Sequence, residues 1–210
     1  MMKETIDYYT LGRPEVVAFV PKDIKKILDI GTGQGFFLKS IKEKTGSETW
    51  GIEMDSQVAE KAKQQADHIL TGRVEDVLGS IPEGYFDCIT FNDVLEHTLE
   101  PGDILKMIKP KLSPNGIIIA SIPNVRYFFN LYEVIIKKEW EYKDNGILDS
   151  THLRFFTQKS MVRMFNAAGY NSVEQTGINE IKTWKFQLFN LLTLGRLSDT
   201  KYLQFINIAK

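Results

Sequence analysis

Short apolar runs alternate along this chain with stretches whose apolar residues recur at helical spacing. The runs place strands at 26–30, 49–53, 68–71, 86–91, 116–122, 171–178 and 202–209. The helical patterns fall at 13–20, 35–45, 56–66, 101–111, 125–138 and 157–168. Asp55 and Ser56 form an N-cap pair before the third helix, and Gly116 and Gly169 mark helix-to-strand turns. Regular alternation of strand and helix predicts an α/β fold, a doubly wound and mostly parallel sheet with helices on both faces.

Two segments break the alternation, at 124–156 and 179–200. The first concentrates aromatics, among them Tyr127, Phe128, Phe129, Tyr132, Trp140, Tyr142, Phe155 and Phe156. Ligands of open α/β sheets bind beyond the carboxyl ends of the strands, so an insertion leaving the fifth strand there roofs the substrate side. Core packing explains the same aromatics, and the two readings are compatible. The second contains KTWKFQLFNLLTLGRL, too apolar for one exposed helix face. It reads as a lid, a dimer surface or a peripheral membrane contact through 184–197. Both are taken as insertions in a single domain spanning 1–210.

The segment KKILDIGTGQG (25–35) joins an apolar strand to Gly31, Gly33 and Gly35, then to a helical pattern starting at Phe36. Glycine lets backbone approach a bound ligand where a Cβ would hold it away. The spacing is GxGxG, not the GxGxxG of dinucleotide sites. A pyrophosphate also wants bare N–H groups rather than carboxylates. Here acids recur near the predicted strand ends: Asp29, Glu53 with Asp55, Glu75 with Asp76, and Asp93. Singly each acid can be a helix N-cap. As a set they suit a cationic ligand rich in hydroxyl and amino donors, a description that S-adenosylmethionine fits.

Composition narrows the partners. The 210 residues carry a net charge of −1, which gives no global field for nucleic acid or an anionic membrane. A single cysteine, Cys88, fits a reducing compartment and reads as a small buried hydrophobe. The N-terminus lacks the apolar core of a secretion signal, and no stretch is long enough for a membrane span. The chain is therefore expected in the cytoplasm, as a monomer or homodimer.

LDIGTGQG, Glu53 eighteen residues beyond Gly35, FDCITFNDVLEHTLEP (86–101) and IKPKLSPNGIIIASIPN (108–124) occur in that order. Together they resemble the class I S-adenosylmethionine-dependent methyltransferases. GILDSTHLRFFT (146–157) and MVRMFNAAGY (161–170) are similar to one branch of that family, often linked to bacterial cell-surface and polysaccharide functions. The resemblance implies a Rossmann-like sheet whose seventh strand runs antiparallel between the fifth and sixth. It also implies roles. The turn Gly31, Thr32, Gly33 and Gly35, leading into Phe36, passes the methionine moiety, and Asp29 steers its ammonium. Glu53 accepts from the ribose diol and Met54 packs on adenine. Relatives carry Asp where this chain has Arg73, which leaves Val74 and Glu75 as adenine contacts. Asn92 and Asp93 lie beneath the reactive methyl with His97 nearby. Tyr8, Tyr9 and Arg13 resemble an N-terminal flap.

Transfer to an alcohol or amine requires removal of a proton as attack proceeds. His152 is the candidate base, because imidazole titrates near neutrality. Asp149 stands three residues earlier to orient it, and Arg154 could bind an anionic acceptor. The alternative is that all three latch the insertion onto the domain. The expected reaction is SN2 methyl transfer to a small-molecule acceptor, with an oxygen acceptor favoured. A nicotinamide oxidoreductase and a non-catalytic module binding the same cofactor are the other readings. No metal is expected, since the three histidines, His68, His97 and His152, are scattered along the chain. Nucleic-acid substrates are disfavoured, because no basic stripe and no NPPY-like motif follows the fourth strand.

Overall fold

The computed structural model describes residues 12–210, so Tyr8 and Tyr9 of the expected flap lie outside the described residues. Seven strands form one sheet in the order β3-β2-β1-β4-β5-β7-β6. β1 (Lys26–Ile30) pairs in parallel with β2 (Glu48–Glu53) and β4 (Phe86–Asn92). β2 pairs in parallel with β3 (His68–Thr71). β6 (Val173–Glu180) and β7 (Tyr202–Ala209) run antiparallel. The doubly wound sheet with its reversed last strand is the one expected.

The chain divides into two compact units. The first runs through Asn92 and adds 103–119 and Lys210. Its centre is β1, where Ile27, Leu28, Asp29 and Ile30 are all buried, as a parallel strand covered on both faces requires. α2 (Phe36–Thr45) supplies Phe37, Leu38 and Ile41 to the core. Gly46 in the left-handed conformation ends it. α3 (Ser56–Ala62) starts at Asp55, whose carboxylate accepts from Gln57 N and Val58 N and so satisfies two end donors. Gly116 was expected in a turn, yet β5 (Leu112–Pro123) begins before it. A Cβ there would sit 2.6 Å from the Phe86 carbonyl oxygen, so this glycine permits a close backbone approach.

The second unit holds 93–102 and 120–209. Its core joins Met161 and Phe165 of α7 (Gln158–Ala167) to Phe205, Ile206 and Ala209 of β7. Thr157 and Ser160 close a capping box at the start of α7, and Gly169 follows its end with φ 91°. The helix expected over 125–138 is shorter. α6 (Phe128–Tyr132) passes into a π-helical turn at Glu133–Lys137, ending at Lys138 with φ 59°. The second insertion contains a helix, α8 (Trp184–Leu192). Phe128 meets Phe186 and Phe189 edge-on at 5.7 and 5.1 Å, so part of the aromatic content joins the two insertions as core. Trp184, Leu188, Leu191, Leu192 and Leu194 remain exposed. Among the described residues no helix is long and apolar enough to cross a membrane.

Candidate active site

The first unit builds a cradle where β1 and β2 end. Gly31 N and Thr32 N both donate to the Ile52 carbonyl, at 2.9 and 3.0 Å, tying the glycine turn to β2. Gly31, Gly33 and Gly35 have φ of 69°, 58° and 83°, left-handed values that disfavour side chains. A Cβ on Gly35 would lie 3.0 Å from Gln65 Cβ and 3.2 Å from the Ala62 backbone. Glu53 is the hub. One carboxylate oxygen accepts from Gly33 N at 2.9 Å, and the other from Asp55 N at 3.0 Å. A carboxylate has about four acceptor positions, so two remain for a ligand.

Asp29, 1% exposed, accepts from Thr90 Oγ1 at 2.6 Å and Asn92 Nδ2 at 2.9 Å, both on the same oxygen. Thr90 stands opposite Asp29 in the β1–β4 register, and Asn92 is two residues on, on the same face. Burial pushes the Asp29 carboxyl up to about 6, against the opposing pull of the Thr90 hydroxyl and, more weakly, the Arg13 guanidinium. Asn92 Oδ1 is buried with no hydrogen-bond partner, whereas the Thr32 hydroxyl lies against the Asp29 carboxylate. Buried polar atoms are normally satisfied, so an unpartnered amide oxygen beside two acids and an open glycine turn fits a polar cationic ligand.

The other expected cofactor contacts vary in place. Phe36 opens α2. Met54 is 73% exposed beside Glu53. Val74 and Glu75 lie in α4 (Val74–Val77), and Glu75 is paired with Arg73 at 3.2 Å. Asp93 parts from Asn92: at φ 55° it turns the chain, and its carboxylate accepts from Gln204 at 2.7 Å and Ser121 at 3.2 Å within the second unit.

The second unit gathers a separate group. His97 and His152 approach to 4.7 Å between ring centroids at 73°. His152 Nε2 lies 4.0 Å from a Glu96 carboxylate oxygen. Its Nδ1 is 2.9 Å from the Ile147 carbonyl, an acceptor only, so Nδ1 carries the proton and Nε2 the lone pair. Asp149 does not hold this ring as expected. Its carboxylate accepts from Thr151 N at 2.8 Å and Thr151 Oγ1 at 2.6 Å. With its proton given to Asp149, the Thr151 hydroxyl accepts from His97 Nδ1 at 3.1 Å. Asp149 therefore orients His97 through Thr151, because the turn from Asp149 to His152 places Thr151 between carboxylate and ring. Burial, then neighbouring His152, holds the His97 imidazole below its ordinary value. Arg154 donates to the Leu99 carbonyl at 2.8 Å and pairs with Glu100 at 3.0 Å, the latch alternative for this residue.

Sequence reasoning missed Thr90, Glu96 and Thr151. Thr90 was findable, since it shares a strand face with Asn92. Glu96 was hidden in DVLEH, where nothing local separates a buried acid from a solvated one.

A cradle of this kind at the ends of β1 and β2, on a sheet in this order, defines the class I methyltransferase arrangement. The chain matches the model of a methyltransferase-domain family over residues 6–175 and belongs to that family. It is an S-adenosylmethionine-dependent methyltransferase. Over 188 residues it is 28% identical to a ubiquinone biosynthesis O-methyltransferase of Aeromonas salmonicida, covering 85% of this chain and 74% of that one. The mitochondrial ubiquinone biosynthesis O-methyltransferase of Schizosaccharomyces pombe is 36% identical over 103 residues, 46% of this chain but only 37% of that protein. A Thermotoga maritima structure described as a SAM-dependent methyltransferase, possibly acting on histamine, superposes with a TM-score of 0.67 at 18% identity. That protein is described as a possible histamine N-methyltransferase; the match covers 96% of this chain and 88% of the other, and it shows the shared fold.

Proposed function

We propose that this chain O-methylates a small-molecule hydroxyl acceptor. The observation that carries the reading is Glu53, held by Gly33 N and Asp55 N with acceptor positions to spare. Bound S-adenosylmethionine would supply a methyl group on a sulfonium, already activated for displacement. Glu53 holds the ribose diol, and Asp29, with Thr32 and Asn92, takes the amino-acid end. Met54, Val74 and Glu75 border the adenine. The leaving group needs no further activation, so the protein's work is alignment, water exclusion and removal of the acceptor proton. His152 Nε2 is the base, with its tautomer fixed by the Ile147 carbonyl and the resulting imidazolium stabilised by Glu96. Asp149 and Thr151 fix the neighbouring His97 ring.

Curated relatives named for ubiquinone biosynthesis O-methylation support the oxygen acceptor. Trp140 and Tyr142 are exposed, with Phe155 5.2 Å from Trp140, and these favour an acceptor with a ring or an apolar part. The DSTHLRFF block keeps a saccharide or lipid-linked acceptor of cell-surface chemistry within the proposal. A buried lone Cys88 fits action in the cytoplasm. Transfer of tritiated methyl to a panel of phenols, saccharides and amines tests the reaction. The expected result is labelled hydroxyl acceptors, with turnover falling at least about 100-fold in His152→Ala at unchanged S-adenosylhomocysteine affinity. Labelling of amines alone refutes the acceptor class.

A further inference from the structure

Three side chains distant in sequence offer metal-ligand atoms within 4.8 Å of one another: Glu96, His97 and His152. The histidines stand fifty-five residues apart along the chain, and that scatter was the ground for expecting no metal. Folding removes the objection. We propose that Glu96, His97 and His152 form a binding site for one divalent transition-metal cation of the zinc type.

Four features carry the proposal. The donor set is two imidazoles and one carboxylate, the combination that catalytic zinc takes with a fourth position left open. Both rings are held from behind at Nδ1: His152 by the Ile147 carbonyl at 2.9 Å, His97 by Thr151 at 3.1 Å, with Asp149 behind the threonine. A ligating histidine characteristically donates its other N–H to such a carbonyl or carboxylate-backed partner, which fixes the tautomer and aims the free lone pair. Here the nitrogen left over on each ring is Nε2. The ligands are pinned together by backbone as well, since Leu153 N and Arg154 N both donate to the Glu96 carbonyl, at 2.8 and 3.0 Å. Finally, Glu96 and His152 are buried while His97 is only partly so, which leaves one side of the group accessible. Tetrahedral ligands about 2.0–2.2 Å from a shared ion stand about 3.3–3.6 Å apart, so the 4.0 Å between His152 Nε2 and the Glu96 oxygen must shorten, a side-chain adjustment that closes the site. Hard magnesium, which prefers oxygen ligands and keeps its waters, suits this set poorly.

The role extends the function proposed above and rests on that reading. With the cation bound, His152 Nε2 is a ligand and no longer the base; a hydroxyl acceptor taken as the open ligand instead loses its proton to solvent more readily, because the cation lowers the hydroxyl pKa. The site itself does not depend on it. The test is calorimetric titration of the untagged full chain with Zn²⁺ alone and with Mg²⁺ alone, in parallel with S-adenosylhomocysteine. One Zn²⁺ per chain is expected, with Mg²⁺ at least about 100-fold weaker. Glu96→Gln and His97→Ala are each expected to weaken Zn²⁺ by about 100-fold or more. Thr151→Val, which removes only a supporting hydroxyl, should weaken it by about 10-fold. Glu96→Gln and Thr151→Val should keep wild-type affinity for S-adenosylhomocysteine, a check that the chain is folded. Absence of saturable Zn²⁺ binding, or equal binding in wild type and all three variants, overturns the metal site and leaves His152 as the free base. Loss of S-adenosylhomocysteine binding in the wild type would instead overturn the methyl-transfer reading.

Discussion

Asp29 is an acid whose charge costs the unliganded protein stability and, on the reading above, serves the cofactor. Its carboxyl lies at about 6 in the folded chain, against 3.8 for the unperturbed group. The folded state therefore holds its proton more tightly than the unfolded state, so this group contributes stability below pH 3.8 that is lost as pH rises through 6. At 1.36 kcal/mol per unit, a shift of this size amounts to about 3 kcal/mol of destabilisation once Asp29 is ionised in both states. About half of it develops between pH 5 and 8. Asp29→Asn is nearly isosteric and keeps the oxygen that receives both Thr90 and Asn92. In urea unfolding without ligand, the variant is expected to be the more stable at pH 8, by up to about 3 kcal/mol. Its advantage over wild type should shrink by about 1.4 kcal/mol at pH 5. The same variant should bind S-adenosylhomocysteine more weakly at pH 8, because the ammonium loses its counter-charge. Wild-type affinity should fall as pH drops through 6, and the variant should flatten that profile. Equal stability of the two proteins across pH 5–8 would refute the burial argument. A variant with undiminished affinity would remove Asp29 from the cofactor site.

Glu53→Ala should weaken S-adenosylhomocysteine at least about 100-fold by calorimetry while the chain still unfolds cooperatively, since charge-assisted bonds to two hydroxyls are lost. Near-normal affinity would exclude Glu53 as the ribose acceptor. Gly35→Val forces a β-branched residue to φ 83° with its Cβ within about 3 Å of α3 and the residues after it. Melting should show a loss of about 1–3 kcal/mol or more.

The fold was largely legible because strand and helix periods are local properties. Strands β1, β3 and β7 fall on the predicted residues, and the Asp55 cap stops and starts the chain where a side-chain acceptor must. Difficulty arose where two elements compete for one stretch. The apolar residues of 125–138 satisfied helical spacing, yet the segment widens into a π turn while Phe128 packs on α8. Gly116 looked like a turn because its true constraint, the Phe86 carbonyl, lies thirty residues away.

The amino-acid order alone set the glycine turn, the acids at the strand ends and the sheet class, since each depends on neighbours along the backbone. Only the tertiary structure decided what those acids touch. Asp55 caps a helix, Asp93 turns inward to Gln204, and Asp149 serves His97 through Thr151 instead of His152. The meeting of Glu96, His97 and His152 belongs to the same category. A side chain's chemistry is set by groups within a few ångströms, and for these residues one of those groups arrives from more than fifty positions away.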